Sequence, residues 1–198
     1  MHQFFVEASR IQGKHITIEG RDVNHIKNVL RLKPGEEIAV SNGEDDKEYR
    51  CIIRSLENDR IVCELAFMKE AGVELPARIF LFQGLPKADK MEMIIQKAVE
   101  LGVYEVIPVA TARSVVRLEG KKALQRVERW QTIAEAAAKQ SKRNIIPGIH
   151  GIMNWKEAVE RAATLPVKLI PYELAEGMET TRRIIEGLKP GDDMAVFI

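Results

Sequence analysis

An apolar strand followed by an amphipathic helix is the feature that most constrains this chain. Residues 78–82 are short, apolar and rich in aromatic and β-branched side chains, as in a buried strand. Gly84 ends the strand, and Asp89 stands where the N-cap of a helix is expected. Residues 90–101 then carry apolar side chains at helical spacing, and Gly102 provides a C-terminal cap. This succession predicts one strand, loop and helix of an α/β sheet.

The same alternation continues along the chain. Strands are predicted at 78–83, 104–109, 145–150, 167–171 and 194–198, and helices at 90–101, 121–141, 154–163 and 179–187. Alternation of this kind favours a parallel sheet with helices on both faces. Lys87, Asp89 and Lys90 follow the first strand, at the edge where open α/β sheets bind ligands. Charged loops also occur as ordinary solvated connections, and the glycine-rich fingerprints of nucleotide-binding loops are absent from the sequence.

The first 75 residues have a different pattern. One helix, opened by Asp22 as its N-cap, is expected to carry Val23, Ile26, Val29 and Leu30 on its apolar side. A small β-barrel with one helix is the economical packing of such elements. Short strand-like runs separated by turn signals occur at 4–7, 15–18, 37–40, 49–53 and 60–67. The linker is expected at 70–76, which gives domains at 1–72 and 76–198.

Composition limits the class of protein. A chain of 198 residues with 45% hydrophobic and 30% charged content forms one or two compact domains. The sequence has neither a transmembrane stretch nor a signal peptide, so we expect a cytoplasmic protein. Cys51 and Cys63 are expected as two buried thiols, although paired strands could also bring them face to face. Because no Cys/His cluster has the spacing of metal ligands, no metal is expected.

The net charge of +1 conceals a basic region. Residues 111–143 hold nine basic and three acidic side chains. A basic region suits contact with a phosphate backbone, and the affinity of such contacts falls as the salt concentration rises. A solvated helix face has the same composition, so charge alone leaves both interpretations open.

Four motifs occur in the order found in one known family. They are QGLPKADKME at 83–92, IIQKAVELGV at 94–103, TARSVV at 111–116 and RWQTIAEAAAKQSKR at 129–143. Residues 25–35 are similar to the amino-terminal RNA-binding element of the same family. On these motifs the chain resembles the RsmE family, bacterial methyltransferases that modify N3 of a uridine in small-subunit ribosomal RNA.

This resemblance implies a fold, a cofactor and partners. The fold is an α/β protein with an amino-terminal PUA-like RNA-binding β-barrel, followed by a SPOUT-type α/β methyltransferase domain with a trefoil knot. The implied methyl donor is S-adenosyl-L-methionine, with no metal. The implied partners are small-subunit (16S) ribosomal RNA or the assembled 30S subunit and a second copy of the chain, with no membrane.

One departure from the family pattern concerns residues 194–198. In the family this strand is followed by a GPEGG loop and by further chain that supplies much of the donor pocket and passes through the knot. The sequence here stops at Ile198, so we expect the C-terminal knot portion to be missing and the cofactor-binding residues to lie mostly after it. Two functions therefore stay open, uridine-N3 methylation by the enzyme and a truncated, catalytically inert fragment that binds RNA or dimerises.

Two arginines are candidates for the chemistry. Methylation at N3 spreads negative charge onto the carbonyl oxygens of uracil, and Arg113 and Arg143 are the residues that we expect to stabilise it. Each could instead clamp a phosphate or form a salt bridge to Glu135 or Glu100. The catalytic base is undetermined, and the groups considered are Asp89, Glu100, Glu135, His150 and water.

The expected RNA contacts are basic or amide side chains in or beside the matched motifs. They are Arg31, Lys33, Lys87, Lys90, Arg113, Arg117, Gln140 and Arg143. His25 is expected as an ordinary surface or core histidine. A stripe of small residues, Ala134, Ala137 and Ala138, permits close helix packing, either in the core or between subunits.

Overall fold

The computed structural model describes residues 1–70, 72–87, 90–112, 114, 120–172 and 177–198. These residues form two compact units. Unit 1 comprises Met1–Glu74 and Lys139–Ile146, and unit 2 comprises Leu75–Ala138 and Pro147–Ile198. The N-cap expected at Asp89 lies outside the described residues.

Unit 1 is built on a six-stranded sheet. Its strands are β1 (Gln3–Phe5), β2 (Ile11–Gln12), β3 (His15–Glu19), β4 (Glu37–Ser41), β5 (Lys47–Leu56) and β6 (Arg60–Glu70). Their order is β1-β4-β5-β6-β3-β2, antiparallel except for the parallel pair β1–β4. Register shifts in the β5–β6 ladder, at Arg50/Cys51 and at Ile53/Ser55, bend these long strands. The predicted β-rich unit with one helix is confirmed, as a curled half-barrel in which β5 and β6 are longer than predicted.

One helix interrupts these strands. It runs as α1 (Arg21–Asn24) and continues as a π-helical turn over His25–Val29. The N-cap is Gly20 with a φ of 72°, and Asp22 lies inside the first turn, so the prediction of Asp22 as N-cap is wrong. Val29 was expected on the apolar side but is 61% exposed, because the wider π turn breaks the 3.6-residue spacing.

The apolar core of unit 1 lies between the sheet and this helix. Cys51 and Cys63 are fully buried in it as free thiols, which confirms the prediction of two buried thiols. Burial raises the pKa of each thiol from 9.0 to about 12. The core consists of Phe4, Val6, Ile16, Ile18, Val23, Ile26, Ile38, Val40, Tyr49, Cys51, Ile53, Ile61 and Cys63.

The carboxylate of Glu74 ties the distant segment 139–146 to the rest of unit 1. Its Oε2 accepts a hydrogen bond from Nε of Arg143 at 3.0 Å and a second, close one from Nη2. Its Oε1 accepts from the main-chain N–H groups of Asn144 and Ile145 at 3.0 and 3.1 Å. Arg143 is only 4% exposed, so this charge pair is buried and fully engaged in hydrogen bonds.

The side chain of Asn144 continues the same buried network. Its Oδ1 accepts from Oγ of Ser41 at 2.8 Å and from Nε2 of Gln3 at 3.1 Å. Its Nδ2 donates to Oδ1 of Asp46 at 3.0 Å. Ser41 and Asn144 are at most 1% exposed, so their polar groups depend on one another for hydrogen bonds.

Unit 2 contains the parallel sheet that the alternating pattern predicts. Its strands are β7 (Arg78–Gly84), β8 (Glu105–Ala110), β9 (Gly148–Ile149), β10 (Met153–Asn154), β11 (Val167–Leu169) and β12 (Asp193–Phe197). The order is β10-β8-β7-β12-β11, with β9 also paired to β8, and every pair is parallel. The strand predicted at 145–150 is reduced to the two residues of β9.

The helices of the chain after residue 75 are α2 (Lys90–Glu100), α3 (Gly120–Ser141), α4 (Trp155–Ala163) and α5 (Glu179–Glu186). Gly102 provides the predicted C-terminal cap after the last residue of α2 and has a φ of 98°. The N–H of Val103 then reaches back to the carbonyl of Ala98 at 2.9 Å, as in a Schellman cap. Leu101, the last apolar residue in the predicted helical run 90–101, is 78% exposed, because this cap turns the chain away from the helix axis.

Alanine side chains allow close packing in unit 2. Ala134, Ala137 and Ala138 of α3 are each at most 3% exposed within the single chain, so core packing accounts for this stripe. Ala158 and Ala162 of α4 lie in one cluster with apolar side chains of β7, β8 and β12. Small residues at these positions let the helices approach their neighbours closely.

Replacing Glu74 by Gln leaves the guanidinium of Arg143 buried without its carboxylate. We expect the free energy of unfolding to fall by about 3–5 kcal/mol, measured by urea denaturation followed by circular dichroism. The matched control is Glu64→Gln, which breaks the exposed ion pair to Arg54 at 2.8 Å and is expected to cost much less. Equal losses in the two variants would show that the Glu74–Arg143 pair is not a structural anchor.

The raised pKa values of the two thiols make stability depend on pH. Between 9.0 and about 12 the unfolded chain releases protons that the folded chain keeps, so unfolding becomes easier as the pH rises. Each thiol contributes a loss of about 1.4 kcal/mol per pH unit in this range. Urea denaturation at several alkaline pH values measures the slope. The variant Cys51→Ala, Cys63→Ala is expected to show a shallower slope, and an identical slope would contradict the assignment.

Candidate active site

The carboxyl ends of three neighbouring strands meet at one edge of the unit 2 sheet. The N–H of Gly84 donates to the carbonyl of Ile198 at 2.7 Å. The N–H of Ile198 donates to the carbonyl of Phe82 at 3.0 Å. The N–H of Leu85 donates to the carbonyl of Val109 at 2.9 Å. A β carbon on Gly84 would lie 3.3 Å from the oxygen of Ile198, so glycine permits this close approach.

Gln83 is a buried polar side chain at this edge that sequence reasoning missed as a site residue. It is 6% exposed, and its Nε2 donates to the carbonyls of Gly84 at 2.9 Å and Ile198 at 3.3 Å. The available signal was an amide residue directly after the apolar run 79–82. Its amide thereby holds the ends of β7 and β12 in register.

A hydroxyl-bonded turn follows β8 at the same edge. The N–H of Thr111 donates to Oγ of Ser114 at 3.0 Å, and the two hydroxyl oxygens are 3.1 Å apart. The N–H of Ser114 donates to the carbonyl of Thr111 at 3.0 Å. Arg113 and Arg117, which the sequence names as site residues, lie outside the described residues.

The two predicted lysines of unit 2 lie on the carboxyl side of β7. Lys87 is three residues beyond the end of β7, Lys90 is the first residue of α2, and both are exposed. The sequence pattern thus places two cations after the central strand, where ligands of open α/β sheets bind.

The predicted residues of unit 1 have different surroundings. Arg31 and Lys33 are exposed, and Arg31 has a φ of 55°, in the left-handed region. Gln140 is exposed on the last turn of α3, whereas Arg143 is buried. Arg143 forms a salt bridge with the carboxylate of Glu74. The salt bridges to Glu135 or Glu100 that the sequence suggested for Arg143 are therefore wrong.

The candidate bases in the described residues have ordinary structural roles. Glu100 is exposed and accepts from Lys97 at 2.7 Å, and this hydrogen bond lowers the pKa of the carboxyl and weakens it as a base. His150 follows β9, and its Nδ1 lies 2.8 Å from the carbonyl of Gly151. Glu135 is exposed on α3. Asp89 lies outside the described residues.

A basic surface lies along the first half of α3. Lys122, Gln125, Arg126 and Arg129 line a shallow depression of about 360 Å³. Glu92 of α2 lies 2.7 Å from Nε of Arg129 and 3.7 Å from Nη1 of Arg126, so it partly neutralises this surface. The excess of cations suits contact with phosphate groups.

The described residues contain neither a cluster of metal-ligating side chains nor a membrane-spanning helix. No group of three or more His, Cys, Asp or Glu side chains in the described ranges is placed to hold a metal ion. Within the same ranges, no helix is both long and apolar enough to cross a bilayer.

Two protein-family models match the chain. The model of an RNA methyltransferase domain matches residues 73–198. The model of an RNA methyltransferase PUA domain matches residues 18–66. The first match alone covers more than half of the chain and includes the whole parallel sheet, and the second includes β4, β5 and most of β6 of unit 1.

Relatives from several bacteria share one name, ribosomal RNA small subunit methyltransferase E. Ribosomal RNA small subunit methyltransferase E of Bacillus subtilis is 36% identical over 176 residues, which cover 87% of this chain and 68% of the relative. The Mesomycoplasma hyopneumoniae protein of the same name is 32% identical over 176 residues, covering 89% of this chain and 73% of the relative.

Solved structures agree with these relatives. The Neisseria gonorrhoeae ribosomal RNA small subunit methyltransferase E bound to S-adenosyl methionine superposes with a TM-score of 0.77 at 28% identity, covering 100% of this chain and 79% of that chain. A Legionella pneumophila methyltransferase in complex with the same cofactor gives a TM-score of 0.79 at 27% identity, covering 99% and 78%. The chain, with its PUA-like barrel and SPOUT-type α/β domain, belongs to the ribosomal RNA small subunit methyltransferase E family.

Proposed function

We propose that this chain transfers a methyl group from S-adenosyl-L-methionine to N3 of a uridine in small-subunit (16S) ribosomal RNA. The observation that carries the proposal is the match of both units to RNA methyltransferase domains, with relatives of the same name along most of the chain. The parallel sheet with a tightly joined carboxyl edge is the supporting geometry.

The carboxyl edge of β7, β8 and β12 is the proposed place for the methyl donor. Its described groups are main-chain amides and carbonyls, the buried amide of Gln83 and the hydroxyls of Thr111 and Ser114. These groups are neutral and polar, which suits a cofactor held by its adenosine and amino-acid parts. When bound, the donor supplies an electrophilic methyl group on a sulfonium.

The residues of the chain would then position the uridine and stabilise its charge. N3 is buried in a base pair, so the target uridine must be unpaired or turned out of its helix. We propose that Arg113 binds the carbonyl oxygens of uracil, where negative charge develops as the N3 proton leaves. Of the carboxylates considered as the base, Glu100 is paired with Lys97, so we propose water as the proton acceptor.

RNA binding is proposed for both parts of the chain. Residues 1–72 are proposed as the RNA-binding barrel, with Arg31 and Lys33 as exposed contacts, and 76–198 as the methyltransferase domain. In the second domain we propose Lys87, Lys90 and Arg117 as contacts with the RNA. Cationic side chains bind the phosphate backbone and give an affinity that falls with salt.

A second copy of the chain is part of the proposal. Exposed apolar side chains follow the edge strand β11, where Ile170 and Tyr172 are 66% and 64% exposed. On and beside α5, Ile185 and Met178 are 51% and 67% exposed. Large apolar side chains exposed in this number are typical of surfaces that bind another protein. Sedimentation of the purified chain tests whether it forms a homodimer.

The assay for this function uses S-adenosyl-L-methionine with a labelled methyl group. We expect label to enter unmodified small subunits or free 16S RNA and to elute with 3-methyluridine after digestion to nucleosides. Label in another nucleoside would refute N3 specificity. The absence of label in both RNA substrates would refute methyl transfer by this chain and favour an inert RNA-binding fragment.

Replacing Arg113 by Ala tests the proposed stabilisation of the uracil oxygens. We expect the rate of methyl transfer to fall at least about tenfold, equal to about 1.4 kcal/mol in the barrier, with an unchanged melting temperature. The matched control is Lys156→Ala on α4, a cation whose side chain is 85% exposed, which should leave the rate unchanged. An unchanged rate in the Arg113 variant would remove this residue from the site.

A further inference from the structure

Unit 1 contains a concave pocket that the proposed methyl transfer does not use. Its volume is about 410 Å³, within the range of pockets that hold small molecules and single nucleotides. One wall comes from the amino-terminal residues, including His2 and Phe4, and another from Lys139, Gln140 and Lys142 at the end of α3. All of its lining residues belong to unit 1, whereas the sheet edge proposed for the methyl donor belongs to unit 2.

The charges around this pocket favour an anion. Three lining residues are cations, Arg50, Lys139 and Lys142, and one is an anion, Glu48. Arg50 is paired with Glu48, and Lys139 lies 3.2 Å from Asp22. Lys142 has no ion-pair partner among the described residues and is exposed, so its ammonium group is available to a phosphate.

The remaining polar lining suits a nucleobase. The imidazole of His25 is exposed beside the buried ring of Phe4, with ring centroids 6.4 Å apart and planes at 65°. An exposed aromatic ring held by a second ring is a surface on which an unpaired base stacks. The exposed amide of Gln140 offers both a donor and an acceptor to the edge of a base.

The backbone is unusual at both sides of the pocket. His25 begins the π-helical turn, where the N–H of Leu30 bonds to the carbonyl of His25 at 2.9 Å. Lys142 has a φ of 58°, a left-handed conformation that a lysine rarely adopts. Turns of the π type are frequent at functional sites, and here one presents the imidazole while the left-handed residue presents the ammonium group.

We propose that this pocket binds one unpaired nucleotide of the substrate RNA, with its base against His25 and its phosphate at Lys142. In this proposal that nucleotide is not the methylated uridine, whose base is assigned to the sheet edge of unit 2. The inference rests on the proposed function for the identity of the RNA. It adds a position at which the enzyme recognises an unpaired base outside the site of methylation.

Binding can be measured directly on the full chain by NMR without a methyl donor. Uridine 5′-monophosphate and adenosine 5′-monophosphate are titrated, with uridine and inorganic phosphate as partial probes. We expect both nucleotides to shift the imidazole signals of His25 and the side-chain amide of Gln140, more than either partial probe does. Shifts confined to other residues, or equal shifts from phosphate alone, would overturn the proposal.

Substitutions of the pocket residues test whether nucleotide binding there contributes to binding of the RNA substrate. We expect His25→Ala and Lys142→Gln each to weaken nucleotide binding by about fivefold or more, and to raise KM for the RNA with little change in kcat. The matched control is Lys14→Gln, an exposed lysine of unit 1 outside the pocket. Gln140→Ala provides a third variant if His25→Ala lowers the melting temperature. Unchanged nucleotide binding in the pocket variants would overturn the proposal.

The two proposals fail in distinguishable ways. Nucleotide binding in the pocket without any methyl transfer would refute the proposed function and leave the pocket intact. Methyl transfer by a chain whose pocket variants retain the KM of the parent chain would refute the pocket and leave the proposed function intact.

Discussion

The carboxylate of Glu74 is the group on which the architecture of unit 1 depends. A buried carboxylate is tolerated only when its oxygens are saturated with hydrogen bonds, and Arg143, Asn144 and Ile145 supply them. These three donors come from the chain that follows α3, so satisfying one charge fixes the course of a segment distant in sequence. The same attachment brings Lys139 and Lys142 to the pocket in unit 1. A local electrostatic requirement thus determines which surface the helix end presents.

The parts of the fold that sequence predicts well are those recorded in side-chain periodicity. Strand β7 has a continuous buried run, and its neighbours are parallel, as an unbroken apolar run before a helix indicates. The end of α2 at Gly102 was equally predictable, since few residues other than glycine adopt its positive φ without strain. Periodicity reports whether a residue is buried, and it is strongest for long, regular elements.

The errors and omissions share a different physical origin. Asp22 was predicted as a cap from residue type alone, but Gly20 begins the helix and the carboxylate of Asp22 lies instead 3.2 Å from Lys139. For Arg143 the omission is its partner, since its guanidinium donates to Glu74 in the predicted linker. No local pattern marks a linker carboxylate as the partner of an arginine so far along the chain. Interactions between residues distant in sequence therefore had to come from the structure.

The burial of Arg143 bears on which of the two candidate arginines, Arg113 or Arg143, contacts the uracil. A guanidinium that donates to a buried carboxylate would have to break a strong pair before it could bind a transition-state charge, and this cost would oppose catalysis. Arg143 is therefore better suited to positioning the end of α3 than to contacting uracil. In the proposed function, charge stabilisation is therefore assigned to a residue that follows β8, next to the hydrogen-bonded pair Thr111 and Ser114. Arg113 comes two residues after Thr111 in the sequence, so we propose it, and not Arg143, for this role.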